Sequence, residues 1–167
     1  IRAYDKQGFA PLQYMMMSAK LPNREGEAKM GDVAKVVVEC CCDSVQSGKN
    51  ALMGGANRIE LCGALNLGGL TPSMGLVRAA SRLCREAGVP LLVLIRPRVG
   101  DFRFDEVEMS GMLDDIVAMR QLCDGFVVGV LKSNGVDEEK TRMLVQVAQK
   151  PCTFHRGFDQ TNADVKE

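Results

Sequence analysis

LLVLIRPRVGDF, residues 91–102, sets five apolar side chains in a row ahead of Arg96, Pro97 and Arg98, and then turns at Gly100 and Asp101. An apolar run without alternation belongs to a strand buried on both faces, the kind found in parallel sheets. Side chains on a strand alternate, so Arg96 and Arg98 are expected on one face at its C-terminal end. Two guanidinium groups there are costly unless anions meet them. The stretch therefore reads as a core strand that ends in a site.

The neighbouring segments repeat the pattern. VVVECCC (36–42), RIELCG (58–63), GFVVGVL (125–131) and CTFHRGFD (152–159) read as further strands, the last with its exit loop, and Gly129 is expected to allow close backbone approach. Between them lie helices. SVQSGKNALMGG (44–55) is capped by Asp43 or Ser44 and closed by Gly54 and Gly55. Thr71-Pro72-Ser73 reads as an N-cap followed by proline at the first helical position, after which Val77, Ala80, Cys84 and Ala87 recur as far as Gly88. Met109, Met112, Leu113, Ile116 and Val117 mark a third helix, weakened by Gly111, and Asp137 caps a fourth carrying Met143, Leu144, Val147 and Ala148.

Strict alternation of strand and helix means βα units around a parallel sheet. No glycine-rich phosphate loop follows the first strand, which argues against a nucleotide-binding sheet. Polar residues gather at the C-terminal ends of several strands, where a barrel builds its active site. The expectation is a partial TIM-type (β/α)8 barrel of about five units over residues 35–167, preceded by an irregular tail over 1–34.

The totals narrow the function. A chain of 167 residues suits one domain, and 46% hydrophobic with 25% charged residues is an ordinary globular composition. Zero formal net charge favours neither nucleic acid nor an anionic membrane as a partner. No apolar run approaches the roughly 20 residues that span a bilayer, and the first 35 residues lack a secretory apolar core. Seven cysteines, an odd number, suit a reducing compartment, so a cytoplasmic location is expected, with the nucleus as a second one. Ile1 in first place, and five units where a barrel needs eight, suggest a fragment or splice form of poor isolated stability.

Glu39-x-Cys41 and Glu60-x-Cys62 repeat one device at two strand ends. The spacing places carboxylate and thiol on one face, and neighbouring strands lie about 4.8 Å apart, so Cys41 and Cys62 can converge on one ion. Two soft thiolates suit Cu(I) better than Zn(II), which wants four ligands. The alternative is a pair of buried structural cysteines. Cys40 and Cys42 are expected on the other face under a helix, with Cys84 and Cys123 as helical core residues. A carboxylate on a buried strand needs a partner, and Arg96 and Arg98 are the expected partners of Glu39 and Glu60. Read as structure, this is an ion-pair network. Read as a site, it gives Glu39, Glu60 and the single histidine, His155, to proton transfer, and Arg96, Arg98, Asp101, Arg156 and Asp159 to an anionic substrate. Asp101 could equally cap the next helix, and His155 could be a satisfied core group.

The runs ECCCDS (39–44), GGANRIELCGALNLGGLTPSMG (54–75), IRPRVGDF (95–102), DGFVVGVL (124–131) and TFHRGFD (153–159), in this order and spacing, resemble the CutC copper homeostasis family. The likeness covers residues 36–159, roughly the N-terminal three-fifths of a family domain. It implies a (β/α)8 barrel, a self-associating cytoplasmic copper-handling protein that is also nuclear in animals, and copper on Cys41 and Cys62. The strand-end polar set from Glu39 to Asp159 matches as well. Val99 stands where the family usually has glycine, Gly157 where it usually has alanine, and the last three strands are missing. Two functional expectations stay open: Cu(I) binding by strand-end thiolates, or a barrel enzyme acting on a small anionic substrate.

Overall fold

The structure is a computed structural model that describes residues 37–161 and the backbone of Met15–Ser18. Its strands are β1 (Met15–Ser18), β2 (Val37–Cys42), β3 (Arg58–Leu61), β4 (Leu91–Leu94), β5 (Gly125–Val128), β6 (Leu131–Lys132), β7 (Gly135–Val136) and β8 (Cys152–Phe154). The helices are α1 (Val45–Met53), α2 (Met74–Ala87), α3 (Glu106–Met119) and α4 (Glu138–Ala148). Strands β2, β3, β4, β5 and β8 lie side by side in chain order, all parallel, with one helix crossing between each pair. That is the winding of a TIM-type barrel, carried through five units.

Each helix starts where its sequence supplies an acceptor for the free N–H groups of the first turn. Ser44 and Ser47 close a capping box at α1, Asp105 and Glu108 another at α3, and Asp137 takes the Lys140 N–H at α4. Two expectations shift here. Asp105, not Asp101, caps α3. Ser73, not Thr71, caps α2, because Thr71 is committed elsewhere: its N–H donates to the Arg96 carbonyl at 2.9 Å, and its Oγ1 accepts from the Arg96 N–H at 2.9 Å. Thr71 thus prolongs the β3 side of the sheet beside the end of β4.

All four residues of β4 are buried, and their two faces serve different cores. Leu91 and Val93, with Ile95 beyond them, join Ile59, Leu61, Phe126 and Val128 beneath the helices, where Met109, Met112, Ile116, Val77 and Leu144 meet them. Cys42 and Cys84 are part of this layer and Cys40 packs on it, as their positions predict. Cys123 is buried in it too, but one turn beyond the end of α3. Leu92 and Leu94 face the inside of the curve with Cys62 and Val127, and Cys41 and Leu65 pack on them.

Most of the expected irregular tail lies outside the described residues. Met15–Ser18 within it forms a strand, antiparallel to β2, pairing Met15 with Cys40 and Ser18 with Val37. β2, the first parallel strand, therefore has a neighbour on each side. Among the described residues the outer strands are β1 and β8.

Candidate functional site

The C-terminal ends of the parallel strands frame a cleft of about 650 Å³, solvent at its mouth included. Glu39 and Cys41 from β2, Glu60 from β3, Arg96 after β4, and His155 and Arg156 after β8 all line it. Leu65, Leu94 and Phe102 supply its apolar wall, and Gly68 and Gly69 its lip.

The thiols meet as their spacing predicts. Cys41 sits opposite Glu60 in the β2–β3 register, and its Sγ lies 3.8 Å from the Sγ of Cys62. Both thiols are free. The hydrogen bond to Cys62, then burial and the nearby Glu60 carboxylate, all favour the protonated form of Cys41. Burial, with the like charge of Glu39 second, also raises Glu60 to about 7, so this carboxyl holds a proton part of the time at neutrality.

The acid–base pairing differs from the expected one. Glu39, 2% exposed, is neutralised by Arg58 on the adjacent strand, not by Arg96 or Arg98. Register explains this: Arg58 stands directly opposite Glu39 at the start of β3. Arg96 and Arg98 also part company: alternation runs on past the end of β4 through Ile95 and Arg96, but not as far as Arg98. Arg98 turns to the outer rim, where it pairs with Glu108 and with Asp101 at 3.1 Å. Arg96, 3% exposed, is held by carbonyls: Nη1 donates to Gly69 O at 3.0 Å and Nη2 to Gly100 O at 2.8 Å, with the guanidinium 4.7 Å over the Phe102 ring.

His155 is 5% exposed and closes the strand-to-turn junction. Its Nδ1 accepts the Gly157 N–H at 3.1 Å, which leaves the proton on Nε2. Its ring lies 4.6 Å from Phe102. Burial, with the charges of Arg96 and Arg156, outweighs the opposing backbone groups of His155 and Gly129 beside the ring and lowers its pKa to about 4, so the imidazole is neutral at pH 7. Of the expected site residues, Asp101 and Arg98 lie on the outer rim, and Asp159 is exposed on the 3-10 turn Arg156–Gln160. Phe102, Gly68 and Arg58 were not foreseen. Phe102 lies within the quoted stretch, but only the folded loop turns it under Arg96 and against His155.

Strand-end carboxylate, thiol, imidazole and guanidinium groups around one mouth, on βα units wound in chain order, define a barrel protein with a rim-face site. Comparison with known proteins narrows this. The CutC family profile matches residues 36–167, and the chain belongs to that family. It is 47% identical over 128 residues to a family protein CutC of Vibrio vulnificus (strain CMCP6), covering 74% of this chain and 50% of that one. It is 40% identical to the copper homeostasis protein cutC homolog of Caenorhabditis elegans, covering 75% and 50%. The chain thus spans about half the length of the curated relatives it matches. The crystal structure of a CutC protein from Streptococcus agalactiae superposes with a TM-score of 0.70 at 34% identity, over 74% of this chain and 60% of that one.

Proposed function

We propose that this chain takes part in intracellular copper homeostasis by holding Cu(I) between Cys41 and Cys62. The observation that carries this reading is the 3.8 Å approach of the two sulfurs from adjacent strands. Soft thiolates select Cu(I), and among the described residues no group of three or more His, Cys, Asp or Glu side chains gathers to hold a metal. The donor set is therefore poor for Zn(II), which wants four ligands, and adequate for an ion content with two. Copper enters as cargo; the protein's part is to present the Cys41 sulfur at the cleft with the buried Cys62 sulfur directly behind it. Cys41 must lose its proton first, so uptake releases protons and tightens as pH rises. Seven free thiols suit a reducing compartment, cytoplasmic or nuclear, and the names of the relatives support the link to copper.

The test is an anaerobic Cu(I) titration against a competing chromogenic chelator. Wild type is expected to retain one more tightly held Cu(I) than Cys41→Ser or Cys62→Ser, whereas Cys42→Ser, altered on the helix-covered face, behaves as wild type. Equal stoichiometry and affinity in all four proteins would remove these two thiols as ligands.

A further inference from the structure

Two buried polar atoms find no partner among the described residues, Nε of Arg96 and Nε2 of His155, and both residues line the cleft. Each atom is an N–H donor, since guanidinium carries no acceptor and the His155 proton sits on Nε2. Only an acceptor satisfies them. Arg156 stands beside them, with no hydrogen bond or ion pair to any described residue. Both arginine side chains come within 3.4 Å of the point where a Cβ on Gly68 would stand, and Arg156 Nη2 within 2.0 Å. Two like charges are thus held together over a glycine that leaves room for them.

The cleft's negative groups do not balance this pair. Glu39 is neutralised by Arg58, and the charges that act on Glu60 are those of Glu39 and Arg58. The hydrogen bond to Cys62 and burial hold Cys41 towards its protonated form. Arg98, the other arginine of the sequence motif, is already satisfied by Glu108 and Asp101. Arg96 is fixed in place by the Gly69 and Gly100 carbonyls, so its charge is preorganised and not free to swing into water.

We propose that Arg96, Arg156 and His155 Nε2 form an oxyanion subsite that takes the dianionic head of a small organic phosphate monoester, whose body lies on Leu65, Leu94 and Phe102. Two guanidinium groups match a dianion better than a carboxylate, and their planar donors fit phosphate oxygens. Neutral imidazole adds a third donor without adding charge. The subsite shares the cleft with the thiol pair but no atoms with it, so it stands or falls apart from the copper reading.

The metal-free full chain is titrated with phenyl phosphate at pH 8, where the ester is dianionic, while the single histidine's Hε1 proton resonance is followed by NMR. Benzoate and benzyl alcohol serve as monoanionic and neutral counterparts. Saturable movement of the His155 signal with phenyl phosphate is expected, with affinity weakened about tenfold or more in Arg156→Gln and unchanged in Arg98→Gln. Arg156 is exposed, so its loss leaves the core intact, and an unshifted His155 resonance in the free variant verifies that. No saturable shift up to about 10 mM, equal affinity in Arg156→Gln, or benzoate binding as tightly as the phosphate ester would overturn the assignment.

Discussion

His155 occupies a position where local geometry and charge act in the same direction. It is buried, it faces two arginines, and its Nδ1 is spent on the Gly157 N–H. As the only histidine in the chain it can be followed without assignment. Its Hε1 resonance is expected to titrate near 4, not near 6.5 as in an unfolded chain. Between those two values the unfolded chain takes up a proton that the folded chain refuses, so His155 favours folding fully above pH 6.5 and loses that contribution as pH falls towards 4, by about 3 kcal/mol in all. Glu60 runs the other way: raised to about 7, it favours folding below its unfolded value near 4.5 and ceases to do so as pH rises through neutrality. A bulk pH–stability curve would blend the two, whereas the single-histidine titration separates them. A midpoint near 6.5 would show that the imidazole is neither buried nor flanked by charge. At this scale, residue spacing predicted the meeting of Cys41 and Cys62, because alternation along adjacent strands is local geometry. It did not predict that Glu39 pairs with Arg58, since that depends on inter-strand register, nor that Arg96 and Arg98 diverge, since that depends on how far alternation runs past β4.

The helices were legible because their caps and apolar spacing agree. Ser44, Gly88 and Asp137 stand at the boundaries that their chemistry sets. Thr71-Pro72-Ser73 misled because two capping residues flank one proline, and only the sheet decides which of them is free to cap. Glycines carry a related ambiguity: a glycine is conspicuous in sequence whether or not anything crowds it. Gly129, just past β5, is crowded. A Cβ there would stand 2.7 Å from His155 Cε1 and 2.9 Å from the Phe154 ring. Gly111 lies within α3 with nothing within 4 Å of such a Cβ. Gly129→Ala is therefore expected to destabilise by about 1–3 kcal/mol through overpacking, while Gly111→Ala stabilises by about 0.5–1 kcal/mol through helix propensity. Urea denaturation of the two variants decides this, and equal effects of one sign would show that the β5–β8 junction is not packed as described.

At the scale of the whole molecule, the described parallel strands curl into a half barrel. On either side of β8 the Pro151 carbonyl and the His155 N–H both bond to β5, so Cys152 and Phe154, between them, direct their own N–H and C=O groups away from it. No described strand takes up those groups. At the opposite side Met15–Ser18 lies antiparallel on β2, in a stretch that precedes the family match at residue 36. The two sides of the half barrel therefore differ: one ends in the short antiparallel β1, the other in the parallel strand β8, whose outer groups no described strand takes up. An edge of that kind recruits another chain. Under reducing conditions, the sedimentation coefficient of this 167-residue chain is expected to rise with concentration across the micromolar range, and Cys152→Pro to suppress that rise. Proline at 152 removes an outward donor and leaves the inward bonds of Pro151 and His155 untouched, so the β5–β8 pairing persists while the outer face loses its ladder. Far-ultraviolet circular dichroism of the variant, unchanged from wild type, separates loss of association from loss of fold. A wild-type sedimentation coefficient that holds constant with dilution would mean that β8 is covered within its own chain, and that the half barrel closes its edges without a second copy.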